Sequence, residues 1–435
     1  MNKKIITIIY ILIFFLIAFY NLNIIGLNYD GIWQYSFSYS FIKGGLPYKD
    51  FNTIVPPFSL FIMSIPLIIK NSYASYVLFH SLLLTISLFF SYKMFKEKTF
   101  ILLILLFIFP VGLLPNYNSI IFMIFILILY FENTNYKYKD YIIGLLITLS
   151  ILSKQSIGIF FLLPTIIYKH KDINCLKKRI IGFTIPNIIF LIYLIKNKIL
   201  YNFIDLCFLG LSEFKDNFNG SIFLILLFII MLIISIFLLL KDKDNISYLY
   251  CICLYSMAIP LFNITHLVFP IFAFLIIILD KIKIKRTNYV TFICIFIYIF
   301  ITSIYFVSLY GKINYLPKEF NHFEYININN NLNTERIKVI KYLKNKKYIM
   351  YDLDAAFYRI SLNKKTNFLD IPLHGNFGKN NNKKIIELIE KSNAQYILVN
   401  KKYNKNFQLD KVGIKYIKDN YQKIDEVSNY YIYKK

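Results

Sequence analysis

The stretch PPFSLFIMSIPLIIK, residues 56 to 70, decides how the whole chain threads. Its composition is that of a membrane segment, but Pro56, Pro57 and Pro66 interrupt it. Proline removes a backbone donor and clashes with the preceding turn, so such a run suits a helix lying in the membrane interface better than a full span. The surrounding sequence is membrane-like throughout. Of 435 residues 57% are hydrophobic, mean hydropathy is +0.54, and apolar runs alternate with short lysine clusters, which excludes an ordinary soluble protein. Eleven other runs read as spans: 5 to 22, 73 to 92, 99 to 114, 118 to 133, 141 to 153, 156 to 168, 180 to 195, 221 to 240, 246 to 264, 267 to 279 and 288 to 308. A span needs about 20 apolar residues, so the shortest of these must tilt or stop at a cavity.

Charge counting sets the direction, because cytoplasmic loops carry the Lys/Arg excess. With residues 56 to 70 held on the outer side, the first 310 residues place 18 basic side chains inside and seven outside. If the run spanned, every later loop would flip and the bias would be largely reversed. The run is therefore expected to stay outside. The first span follows Asn2-Lys3-Lys4 and no small-residue cleavage site comes after it, so it reads as uncleaved, with a cytoplasmic N-terminus. The expectation is an all-α polytopic plasma-membrane protein with about 11 transmembrane helices. Residues 1 to 310 form its membrane domain, with a first outer loop at 23 to 72, and residues 311 to 435 form an extracytoplasmic domain.

That tail is soluble in pattern. TERIKVIKYLKN, KKIIELIEKS and DKVGIKYIKDNY read as helices, and KKYIMYDL, AQYILVN and SNYYIYK as strands, predicting a small α/β domain. Its 24 basic and 12 acidic residues would draw it toward anionic lipid headgroups or an anionic wall polymer. No basic stripe with interleaved aromatics stands free of the apolar runs, so nucleic acid is not an expected partner. Abundant Ile, Asn, Lys and Tyr match an AT-rich coding sequence, so neither net charge nor aromatic content is read as functional. Five cysteines (Cys175, Cys207, Cys251, Cys253, Cys294) show no metal spacing.

Twelve carboxylates precede residue 311. Seven, including Glu132 and Asp140, fall on the cytoplasmic side near lysines and read as solvated loop charge. Five face outward: Asp30, Asp50, Asp205, Glu213 and Asp216. Asp30 follows the first span closely and precedes the aromatic run IWQYSFSYSFI, so its carboxylate can aim into a cleft between spans. Residues 141 to 168 must leave and return between two cytoplasmic lysine clusters, which puts the turn ILSKQSIG, with Lys154 and Gln155, at outer depth. A charge there lines a cavity, pairs with an anion, or snorkels. LPNYNS and LFNITHLVFP add Asn116, Tyr117, Asn118, Asn263 and His266 at two other outer turns; for the asparagines plain turn formation is the simpler reading.

Four features together resemble the GT-C superfamily of membrane glycosyltransferases, in particular the branch of protein O-mannosyltransferases and the lipid A aminoarabinose transferase. They are YDGIWQYSFSYSFIKGGLPYKDFNTIVPPFSLF, the LSKQSIG turn, the FNITHLVFP turn and the outer C-terminal α/β domain. The resemblance covers essentially the whole chain and implies a polyprenyl-phosphate-linked sugar donor, transfer on the outer face, and the first-loop aspartate, here Asp30, at the active centre. The chain departs from that pattern at Gly31, which stands where many relatives have a second acid. It departs again at Ser75 and Tyr76, in place of an arginine, and at Asn116 and Asn118, in place of an acid. On this reading Asp30 is the base, and Lys154, with His266 or Lys49, neutralises the departing phosphate. Tyr29, Asp50, Asn116, Tyr117, Gln155 and Asn263 would contact substrate, a divalent cation could assist, and the acceptor is a cell-envelope glycan, lipid or protein. The competing classes are a polysaccharide polymerase and a lipid-linked-sugar flippase or transporter. The latter is disfavoured by the lack of an internal repeat.

Overall fold

The computed structural model describes residues 3 to 23, 29 to 108, 114 to 169, 172 to 217, 221 to 259, 262, 264 to 281, 319 to 323, 330 to 403 and 409 to 435. The span expected at 288 to 308 and Asn263 lie outside the described residues. The chain is mostly helical, and its first part runs through α1 (Lys3–Asn23), α2 (Tyr29–Ile42), α3 (Phe58–Ile69), α4 (Tyr73–Phe95), α5 (Thr99–Ile108), α6 (Tyr117–Glu132) and α7 (Lys139–Ile151). It continues through α8 (Gln155–Gly158), α9 (Leu162–Lys169), α10 (Ile173–Lys196), α11 (Leu200–Cys207), α12 (Ile222–Lys241), α13 (Ile246–Leu254) and α14 (Ile264–Lys281). Among the described residues three helices, α4, α10 and α12, are long and apolar enough to cross a membrane. Helix α3, at 12 residues, extends about 18 Å against about 30 Å of hydrocarbon. Its Ile65, Ile68 and Ile69 are exposed while Leu60, Met63 and Leu67 are buried, so it is apolar on both faces.

The residues fall into two compact units. One comprises Met1–Asn21, Phe79–Tyr193 and Phe218–Tyr310; the other comprises Leu22–Leu78, Leu194–Asn217 and Gly311–Lys435.

In the first unit α7 and α10 meet backbone to backbone. A Cβ on Gly144 would lie 2.1 Å from the carbonyl oxygen of Arg179, so only glycine permits that approach. Beside it Thr148 Oγ1 donates to the Phe183 carbonyl at 2.8 Å, and Asn187 Nδ2 donates to Thr148 Oγ1 at 3.1 Å. The close packing seats the Arg179 side chain inside the protein, where its two terminal nitrogens donate to Glu132 at 2.7 and 2.9 Å. Its Nε donates to Asp140 at 3.0 Å, Thr165 accepts at 3.0 Å, and Tyr250 donates to Glu132 at 3.1 Å. Glu132 and Asp140 are thus not solvated loop charges, as their lysine-rich surroundings imply. The side chains of Arg179 and Glu132 are each 2% exposed. Helical periodicity explains the difference: of the basic run 177 to 179, Lys177 faces outward while Arg179 shares the buried face with Cys175.

In the second unit the tail contributes α15 (Asn330–Leu343), β1 (Tyr348–Tyr351), α16 (Ala355–Ser361), α17 (Asn381–Lys391), β2 (Tyr396–Asn400), α18 (Lys411–Asn420), β3 (Gln422–Val427) and β4 (Tyr430–Lys434). The sheet order is β1-β2-β4-β3. Strands β1 and β2 are parallel, with Tyr348 opposite Tyr396, and β4 runs antiparallel to both its neighbours. Ile349, Ile385, Ile397, Val399, Ile414 and Ile417 form the centre of the core between sheet and helices. The three helices and three strands expected from the pattern are all present. Two elements were not legible. Strand β3 is exposed at nearly every position and carries no apolar alternation, and α16 is a buried seven-residue helix too short for a period.

The first loop folds onto this tail. Trp33 Nε1 donates to the Leu353 carbonyl at 3.0 Å, Thr366 N donates to Ser40 Oγ at 2.9 Å, and Asn52 Nδ2 donates to the Asn376 carbonyl at 2.8 Å. Phe37, Phe51 and Leu60 share a small core with Ile371. The segment 194 to 217 joins them through Asp205, which is buried, accepts from Lys379 N at 3.1 Å and pairs with Lys384.

Removing one partner of a buried ion pair leaves an uncompensated charge, which costs about 3–5 kcal/mol. Arg179→Met should therefore lower the unfolding free energy by that order, measured by thermal or denaturant unfolding in detergent. Arg179→Met combined with Glu132→Gln should recover a large part of the loss. A single variant as stable as the native chain would show that the network contributes little.

Candidate functional site

Asp30, Lys49 and Asp50 belong to the unit that holds the tail. Lys154, Gln155, Asn116, Tyr117 and His266 belong to the other.

Asp30 lies in the first turn of α2 and is exposed. Desolvation by the surrounding protein still raises its carboxyl pKa above the ordinary aspartate value, outweighing the helix N-terminus, which favours the ionised form. A carboxylate that pays a cost to ionise is a stronger proton acceptor once ionised. Tyr29 opens the same helix, its side chain outside the described residues. Lys49 is exposed. Asp50 does local structural work: its Oδ2 accepts from Leu46 N at 2.7 Å, and its own N–H donates to the Leu46 carbonyl at 2.9 Å, closing the turn GLPYKD.

In the other unit the chain turns sharply between α7 and α8, as the lysine clusters on either side require. A Cβ on Gly158 would lie 2.2 Å from Ile151 N, so glycine is needed for this hairpin to close. Lys154 sits at its tip in an extended conformation, just before α8, and Gln155 is buried behind it. The Lys154 ammonium donates to Asn118 Oδ1 at 3.2 Å, lies 5.3 Å from the Tyr117 ring centroid, and acts electrostatically on the half-buried His266. Among the described residues these partners are neutral, so burial pushes the Lys154 pKa down to about 8. An anion placed here would restore it. The hairpin turn, the LPNYNS turn and the start of α14 thus come together around one cation.

Asn116 has a different job. Its Oδ1 accepts from Ser119 N at 3.0 Å and caps α6 in a capping box, which fixes where Tyr117 and Asn118 stand. Behind the cap, Ser119 Oγ meets His80 Nε2 at 2.6 Å, and His80 is fully buried. His80 escaped notice in the sequence. An ionisable side chain inside the apolar run VLFHSLLL was the available signal.

Among the described residues no group of three or more His, Cys, Asp or Glu side chains is placed to hold a metal ion. Of the cysteines, Cys175, Cys207, Cys251 and Cys253 are buried and not joined in disulfides. Compared with known proteins, the chain matches no family model, no curated protein and no solved structure.

The geometry at Lys154 makes a direct prediction. A lysine held by neutral partners should titrate near pH 8, against about 10.4 for a solvated one. Amine acylation at a range of pH values, followed by peptide mass spectrometry, should give that midpoint for Lys154. A midpoint near that of a solvated lysine would mean that the side chain is not desolvated.

Proposed function

We propose that this chain is a multi-pass membrane glycosyltransferase, similar in layout to the GT-C superfamily, that moves a sugar from a polyprenyl-phosphate-linked donor to an envelope acceptor at the outer face. The observation that supports this reading most is the make-up of the tail-bearing unit. Residues 22 to 78, 194 to 217 and 311 to 435 are far apart in sequence and fold as one compact body. They are also the three long segments that charge counting assigns to the outer side. If the ten other expected runs between them cross, a span at residues 56 to 70 would put Trp33 and Leu353 on opposite sides of the membrane, whereas they share a hydrogen bond. In this threading the N-terminus is cytoplasmic, Asp30 lies at the outer boundary, and α2 and α3 lie along it.

Glycosyl transfer needs a base for the acceptor hydroxyl and stabilisation of the leaving group around an oxocarbenium-like transition state. The acceptor oxygen bonds to the anomeric carbon, the carbon–oxygen bond to phosphate breaks, and the electron pair leaves with the lipid phosphate. The acceptor's proton passes to Asp30. A phosphate is a stable anion and needs no acid to protonate it, so one carboxylate suffices and the configuration inverts. Lys154 is assigned to the phosphate because it is a desolvated cation with neutral partners, which is what a departing anion requires. Asp30 and Lys154 stand in different units.

The test is Asp30→Asn, which keeps the side-chain volume and removes the proton acceptor. Purified protein is incubated with a panel of polyprenyl-phosphate sugars and released lipid phosphate is measured. Transfer should fall by orders of magnitude, about a hundredfold or more. Because the raised pKa means that folding disfavours the ionised form, native Asp30 costs stability above its unfolded pKa, and that cost disappears as pH falls through and below the pKa values. Asp30→Asn should therefore unfold at the same or a slightly higher temperature at neutral pH. Unchanged transfer in Asp30→Asn would remove Asp30 from the mechanism, and no release from any donor in the native protein would remove the reading altogether.

A further inference from the structure

The tail-bearing unit holds a cavity of about 450 Å³ at the N-terminal ends of β1 and β2, none of whose lining residues was singled out in the sequence. Among the described residues five basic side chains line it, Lys346, Lys347, Arg359, Lys364 and Lys391, and no carboxylate does. Asp370 beneath it neutralises Arg359 at 3.0 Å, and Glu387 lies 3.5 Å from Lys391. Among the described residues no carboxylate lies in ion-pair contact with Lys346, Lys347 or Lys364, although Asp370 also attracts Lys364 from beneath. Lys364 Nζ donates to the Lys346 carbonyl at 3.1 Å and lies 4.6 Å from the Tyr348 centroid, and Lys346 Nζ lies 3.1 Å from that of Tyr342. Burial, then the charge of Arg359, lowers the pKa of Lys364. A bound anion would relieve both effects.

The cavity does not end there. A second space of about 170 Å³ shares Phe368, Leu388 and Lys391 with it and is lined further along by Asn52, Asn202, Glu387 and the ion pair of Asp205 with Lys384. The groove is thus cationic at one end, apolar and aromatic in the middle, and rich in amides and carboxylates at the other. A lipid headgroup would use the cationic end alone. A sugar chain uses all three parts: an acidic substituent on the lysines, apolar contact with Phe368 and Leu388, and hydroxyls donating to Glu387 and accepting from the second amide N–H of Asn52 and Asn202, whose first N–H groups are held by the Asn376 and Tyr48 carbonyls.

We propose that this groove binds an anionic saccharide, a sugar chain carrying phosphate or carboxylate, with its acidic group among Lys346, Lys347, Lys364 and Lys391. The site is built without Asp30 and goes beyond the transferase reading. If that reading holds, the groove is where the acceptor or the growing product is held.

The test uses the full-length chain in neutral detergent micelles and calorimetric titration with two probes, maltohexaose and the same oligosaccharide bearing one 6-phosphate. The phosphorylated probe should bind at least about tenfold more tightly. That preference should shrink by about the same factor in Lys347→Gln/Lys391→Gln, two exposed side chains whose loss should leave the unfolding temperature unchanged. Binding should persist in Asp30→Asn, so a failed transferase reading would leave this result standing. Equal affinity for the two probes, or an undiminished preference in the double variant, would overturn the proposal. Vesicles of phosphatidylglycerol form the third arm: capture that the double variant abolishes, without any preference for the phosphorylated sugar, would assign the groove to lipid headgroups and overturn it equally.

Discussion

The hydrogen bond from the Trp33 indole to the Leu353 carbonyl joins residues 320 positions apart, and the apolar core around it makes the first loop and the tail one body. A membrane turns that contact into a rule of topology. Two segments that share a core belong on the same side of the bilayer, so an even number of crossings separates them. With the ten other runs between them crossing, as the sequence predicts, residues 56 to 70 are not an additional crossing. Its prolines, its length of about three turns and the lysine asymmetry each point the same way by separate physics.

Two cations, Arg179 buried and Lys154 half-buried, show how differently the chain treats charge. Arg179 is enclosed by Glu132, Asp140, Thr165 and Tyr250, with two carboxylates answering its charge. Such a group holds helices in register. Lys154 has an amide oxygen and a tyrosine ring for company. Among the described residues it has no carboxylate partner, and for that reason the departing anion is proposed to meet it. The same distinction separates Arg359, paired with Asp370, from the lysines above it in the tail's cavity.

Much of this was legible in the sequence because it depends on local rules. Periodicity exposed the helices and buried strands of the tail, and the lysine clusters exposed the hairpin at Lys154. What was not legible depends on distant partners. Nothing near Glu132 or Asp140 signals that a third residue on another helix will take them out of water, and nothing near Asp205 announces Lys384. The burial of His80 behind the α6 cap, and the convergence of Lys346, Lys364 and Lys391 on one cavity, likewise follow from tertiary packing rather than spacing. Edge strand β3 escaped because its exposed QKIDEV carries no hydrophobic alternation to read.

The account depends above all on the outer placement of the tail-bearing unit, and labelling in intact cells tests it most directly. Lys96→Cys, in the link between α4 and α5, and Lys415→Cys, exposed on α18, are treated separately with a membrane-impermeant maleimide. Both are then repeated after the membrane is permeabilised. The threading predicts that position 415 is labelled in intact cells and position 96 only after permeabilisation. The reverse pattern would contradict it and with it the placement of Asp30 at the outer face.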